Sequence, residues 1–141
     1  MAFAFIDTYY GVVLFNFSLA ALLGFMMGYE REKRGISAGL RTFALICMGS
    51  TMFTMVSISY FPLDSARIVA QIISGVGFIG AGIIWKQDGG IVHGVTTAAD
   101  IWVAAGVGIS VGTSQYFMAI IASILVILIL KIHTKNDEVK K

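Results

Sequence analysis

The sequence predicts an all-α polytopic membrane protein with five transmembrane helices, its N-terminus outside and its C-terminus cytoplasmic. Three observations carry this. The 141 residues are 57% hydrophobic and only 13% charged, against roughly 25% charged in soluble domains. A soluble chain of this size has a large surface for its volume and could not cover it with so few charges. Residues 8–29, 42–63, 68–85 and 101–130 contain no Asp, Glu, Lys or Arg, and about 20 mostly apolar residues suffice to span a bilayer. The basic residues between these runs fall almost entirely on one side.

The first run gives a span over about 12–29, the second one over 40–60 and the third one over 66–85. The last run is too long for one crossing. At about 1.5 Å per residue it would reach some 45 Å, beyond a hydrocarbon core near 30 Å. It contains "GTSQ", residues 112–115, a cluster of turn formers. Dividing it there gives spans over about 94–111 and 115–131. Residues 1–132 then form one transmembrane domain, and 133–141 a short polar cytoplasmic tail. Five spans place Arg31, Lys33, Arg34, Arg41, Lys86, Lys131, Lys135, Lys140 and Lys141 on one side and only Arg67 on the other. Basic residues gather on the cytoplasmic side, which sets the orientation. The segment "MAFAFIDTYYGVV" has no basic region of the kind that opens a cleaved signal peptide. The lone Cys47 excludes an intramolecular disulfide and a cysteine-rich metal site. The net charge of +2 reflects the one-sided bias and gives no reason to expect nucleic acid as a partner.

Within span three, Gly75, Gly77 and Gly80 have the G-x-G-x-x-G spacing of a dinucleotide loop, with Asp100 at the distance of the acidic residue. That loop needs a strand before it and a parallel sheet around it, and neither is in the pattern. Small residues that bring membrane helices together explain the run better. Gly75, Gly77, Gly80 and Gly82 would let span three be contacted on two sides, as a central helix is. Span one repeats the theme with Asn16, Ala20, Gly24 and Gly28, and span four with Thr96, Asp100, Ala104, Gly108 and Gly112, each stepping by four along one face. Span five is almost wholly large and apolar, and is expected to face lipid while the first four spans form the core.

The polar residues inside the spans are the candidate functional residues. Charge near the middle of a span costs at least about 2.5 kcal/mol, so Asp100 should be protonated or paired. Arg41 is its best partner by depth, with Arg31 the runner-up. A pinning ion pair and a titrating cation or proton site are both open readings of Asp100. Asn16, Thr96, Thr97 and glycine carbonyls are the neighbours that would assist a cation. Arg67, Gln71 and Ser74 share a stripe on span three, with Asp64 placed to cap the helix and offset Arg67. No H-E-x-x-H, Cys–His pair or second intramembrane Asp suggests an enzyme. The loop at 29–42 concentrates charge, including Glu30, beside anionic headgroups.

Three blocks in order, "GYEREKRGISAGLRT", "ARIVAQIISGVGFIGAGII" and "GVTTAADIWVAAGVGISVG", resemble the MgtC/SapB family of bacterial inner-membrane proteins over about residues 12–131. The resemblance implies a five-helix domain and a role in adaptation to low magnesium and, in some bacteria, in virulence. It implies a regulator of membrane energetics or of other membrane proteins rather than a proven transporter. The matching motif positions are Glu30, Arg31, Gly39, Arg41, Arg67, Gln71, Gly75, Gly77, Gly80, Gly82, Thr97 and Trp102. Relatives commonly carry a soluble C-terminal domain, so the chain is expected to be a short form without it. Asp100 stands where a small or hydroxyl residue is expected. The resulting expectation is a non-enzymatic regulator, without a cofactor, acting by contacts with itself or a membrane partner, with a homo-oligomer, favourably a dimer, built on a glycine face. The alternative is a small magnesium or proton transporter titrating at Asp100.

Overall fold

A computed structural model describes residues 2–36, 38–87 and 90–132. The expected tail at 133–141 lies outside them. Five helices dominate: α1 (Ala2–Lys33), α2 (Leu40–Tyr60), α3 (Ser65–Ile83), α4 (Val95–Gly112) and α5 (Tyr116–Lys131). The chain is an all-α polytopic membrane protein. The first four helices carry segments long and apolar enough to cross a bilayer, and α5 is a shorter apolar helix of 16 residues. The break at Thr113–Gln115 falls where the turn formers predicted it, with Ser114 at φ 60°. Helix α1 begins ten residues before the expected start of its span.

One feature was not expected. Between α3 and α4 the chain forms a short antiparallel hairpin, β1 (Trp85–Lys86) against β2 (Val92–His93), with Trp85 opposite His93. Their rings stack at 4.5 Å. Gly94 then turns the chain into α4 at φ 86°. A side chain is disfavoured there on two counts: the backbone is left-handed, and an added methyl would run into the Ile83 carbonyl.

The centre of the bundle is α4, not α3. Half of the α4 span is buried within the chain (50%), against 11% for α3. The reason is which glycines meet a neighbour. A methyl built on Gly108 would collide with the Cys47 carbonyl and lie 2.7 Å from Ser50 Cβ; one on Gly112 would lie 2.7 Å from Thr54 Cβ. On α1, methyls at Gly24 and Gly28 would lie 2.6 Å from Ala44 Cα and 2.7 Å from Leu40 Cα. These four glycines hold the backbones of α1, α2 and α4 together, as small residues do between membrane helices. The close approach also frees hydrogen bonds between helices. Thr51 Oγ1 donates to the Gly108 carbonyl at 2.8 Å, and Cys47 Sγ to that of Ala104 at 3.2 Å.

On α3, by contrast, Gly75, Gly77 and Gly82 face open space, and only Gly80 meets a neighbour, Ala98 at 3.4 Å. The expectation that α3 is contacted on two sides is therefore corrected: it packs through one side, with Val76 and Gly80 buried. Span five is corrected as well. A stripe of Ala119, Ser123, Val126 and Leu130 is buried, so α5 belongs to the bundle and only its remaining faces are exposed.

Candidate functional site

Helix rotation decides which polar groups meet. On α1, Leu23, Met27 and Arg31 step by four along a buried path beside Ala20, Gly24 and Gly28. Arg31 thus arrives in the last turn of α1 already turned inward. On α4, Thr97, Asp100, Ile101 and Ala104 occupy the buried side. The two paths converge near the C-terminal end of α1. Arg31 Nη1 lies 3.0 Å from Asp100 Oδ2, and Arg31 Nη2 donates to Thr97 Oγ1. Arg31 is 4% exposed and Asp100 8%.

The partner of Asp100 is therefore Arg31, and the expectation of Arg41 is corrected. Arg41 is the second residue of α2 and is exposed. The buried side of α2 begins with Phe43, Ala44 and Cys47, so Arg41 points away although its depth is suitable. Thr96 is exposed and plays no part, while its neighbour Thr97 is in the cluster. Trp102 is also exposed.

A second carboxylate organises the adjoining turn. The first residues of α2 have no side-chain cap of their own, because Gly39 occupies the N-cap position. Glu32 supplies it from α1: its carboxylate accepts the Leu40 N–H at 3.0 Å. An added methyl at Gly39 would lie 2.6 Å from Glu32 Oε2 and push the carboxylate off the Leu40 N–H. Glu32 continues the α1 glycine stripe in the sequence, and that periodicity was its only signal. Glu30 pairs with Arg34 at 3.2 Å.

The other expected residues lie at the opposite end. Asp64 and Arg67 form an exposed pair at 3.1 Å. Asp64 stands at the N-cap of α3 but makes no side-chain cap bond, because its carboxylate is turned to Arg67. Gln71 is exposed on α3. Nearer that end, Asn16, only 1% exposed, accepts from Tyr116 Oη at 2.9 Å. This tie between α1 and α5 was not foreseen from Tyr116.

The chemistry these groups support is mechanical. Arg31 and Asp100 clasp α1 to α4, with Thr97 fixing the guanidinium plane through a second donor, a geometry that arginine suits and lysine does not. Among the described residues, no three His, Cys, Asp or Glu side chains converge as metal ligands. Asp100 faces a guanidinium, which would repel a cation at the same oxygen.

Five packed apolar helices with an internal ion pair define a polytopic α-helical membrane protein. The MgtC family profile matches residues 17–139, and the chain belongs to that family. It is 45% identical over 123 residues to "Putative magnesium transporter YhiD" of Escherichia coli K12, covering 81% of this chain and 57% of that protein. It is 44% identical to SapB of Bacillus subtilis, covering 83% and 54%, and 42% identical to MgtC of Salmonella typhimurium, covering 81% and 49%. The chain thus spans about half the length of the curated relatives it matches. No solved structure matches it.

Proposed function

We propose that the protein is a non-enzymatic regulator of the bacterial inner membrane, serving adaptation to low magnesium and related stress or virulence through contacts with a second copy of itself. The observation that carries this is the outer face of α3. Asp64, Arg67, Gln71, Ser74, Gly75, Phe78 and Gly82 follow one another at helical spacing, all exposed, away from the packed Val76 and Gly80, with Gln71 and Gly75 on the flank that borders a groove toward α2. Polar groups and bare glycines facing lipid are costly or useless alone, and both favour helix contact. A like face brings donor and acceptor to Gln71 from Gln71 of the other copy, and brings Arg67 near the opposing Asp64. Gly24, Gly28, Gly108 and Gly112, the other small residues able to bring helices together, are occupied inside the bundle.

Crosslinking in native membranes tests this. In a Cys47→Ala background, Ser74→Cys should give a crosslinked dimer and the buried Ser123→Cys should not. Gly75→Leu should abolish that dimer and growth at low magnesium while leaving thermal stability unchanged. No dimer at Ser74→Cys, or full growth with Gly75→Leu despite a lost dimer, would refute the reading.

A second reading, cation or proton transport, is favoured by the name of the Escherichia coli relative. It predicts magnesium or proton flux in proteoliposomes that Asp100→Asn abolishes. The pairing of Asp100 with Arg31 weighs against it.

A further inference from the structure

We propose that the groove between the C-terminal ends of α1 and α5 binds an anionic phospholipid. The groove holds about 510 Å³, within the roughly 300–1,000 Å³ of ligand clefts. Three elements build it: the last turns of α1, the first residue of α2, and the end of α5. Its chemistry is divided. Phe25, Met26 and Ile127 give an apolar wall, Lys33 and Lys131 bring two ammonium groups, and Tyr29 lines it as well. Glu30 also lines it, but its carboxylate is engaged by Arg34 at 3.2 Å. Among the described residues, the two lysines are therefore left without an adjoining free acid in the groove.

This division matches one class of molecule. The two lysines stand in the last turns of α1 and α5, where these helices leave the apolar layer. The aromatic and aliphatic residues precede them by one or two turns. An anionic phosphodiester between the ammonium groups would set its acyl chain along Phe25, Met26 and Ile127. Paired basic residues above an apolar wall attract acidic headgroups, and the Tyr29 ring suits the interface. At the groove the 16-residue α5 reaches its last turn beside that of the longer α1. A bound lipid would fill the step between them and join α5 to α1. A soluble phosphate would use the lysines alone and leave the apolar wall without a purpose, so the lipid is the occupant assigned.

Native mass spectrometry of the whole chain in detergent tests the assignment with phosphatidylglycerol, phosphatidylcholine and inorganic phosphate as probes. Wild type should retain phosphatidylglycerol in preference to phosphatidylcholine. The Lys33→Gln, Lys131→Gln double variant should bind phosphatidylglycerol about ten- to thirty-fold more weakly, as expected for two lysines near an anionic headgroup. Ile127→Trp, which fills the apolar wall but keeps both charges, should weaken it as well. Lys86→Gln, at the same end but outside the groove, should bind as wild type. Should the double variant misfold, each single Lys→Gln change is predicted to weaken binding about three- to five-fold. Equal retention of the two lipids would overturn the proposal, as would equal loss in Lys86→Gln. Displacement of the lipid by millimolar inorganic phosphate, with no effect of Ile127→Trp, would reduce the groove to a simple anion site and also overturn it.

Discussion

Arg31 and Asp100 show how one contact can be predicted in kind and missed in detail. An acid within an apolar span must find a cation or a proton, so a partner at the same end of the bundle was legible. Depth fixes only one coordinate, however, and the other is rotation about the helix axis. Arg31 continues the buried path of Leu23 and Met27, and Arg41 does not. Removing one member leaves the other buried and unpaired. Arg31→Gln and Asp100→Asn should each destabilise the protein by about 3–5 kcal/mol, whereas Arg31→Met with Asp100→Leu should recover most of that loss. Thermal unfolding in detergent measures all three, and equal melting of Asp100→Asn and wild type would rule out the clasp. Two threonines on α2 give a finer test. Thr51 donates to the Gly108 carbonyl at 2.8 Å, while the buried Thr54 hydroxyl has no partner among the described residues. Thr51→Val should cost about 0.6 kcal/mol, the usual size of such a bond in a membrane bundle. Thr54→Val keeps the branched shape beside Gly112 and should be neutral or stabilising. The same unfolding assay ranks the pair, and the reverse order would contradict these assignments.

At the scale of helices, the glycines divide into two groups that the sequence alone does not separate. Both α3 and α4 are rich in small residues, and glycine spacing says that a close approach is possible, not that a neighbour is there. The neighbours settle it: Gly108 and Gly112 face α2, while Gly75, Gly77 and Gly82 face open space. Alanine substitution should read this difference. Gly108→Ala forces a methyl into the Cys47 carbonyl and should destabilise by about 1–3 kcal/mol, the cost of overpacking. Gly75→Ala meets nothing within its own chain and should be neutral or up to about 1 kcal/mol stabilising, because alanine favours helix. Melting temperatures of monomeric protein would expose an error in either direction. The buried stripe on α5 was hidden for a related reason. In "YFMAIIASILVILILK" nearly every residue is apolar, so lipid-facing and protein-facing sides look alike. The small residues Ala119, Ala122 and Ser123 were the trace of the packed side. The β1–β2 hairpin left no periodicity to find, since each strand has two residues.

For the whole molecule, the number of helices was readable because lipid punishes errors that water forgives. A charge or an open backbone group inside the hydrocarbon is expensive, so the uncharged runs mark the crossings directly. The order of the elements then places Arg31, Lys33, Arg34, Arg41, Lys86 and Lys131 at one end of the bundle and Arg67 at the other. The positive-inside bias predicts that the first end is cytoplasmic. Helix α3 makes the sharpest test of this, because its 19 residues rise about 28 Å, close to the thickness of the hydrocarbon core. Leu63 precedes α3 fully exposed, and Lys86 follows it, also exposed. In a Cys47→Ala background, Leu63→Cys should react with a membrane-impermeant maleimide in intact cells. Lys86→Cys should react only after the membrane is opened. The opposite pattern would invert the orientation and leave the bundle standing. Labelling of both positions from one side would be more serious: a helix that crosses a bilayer once must begin and end on opposite faces, so α3 would not be a crossing at all.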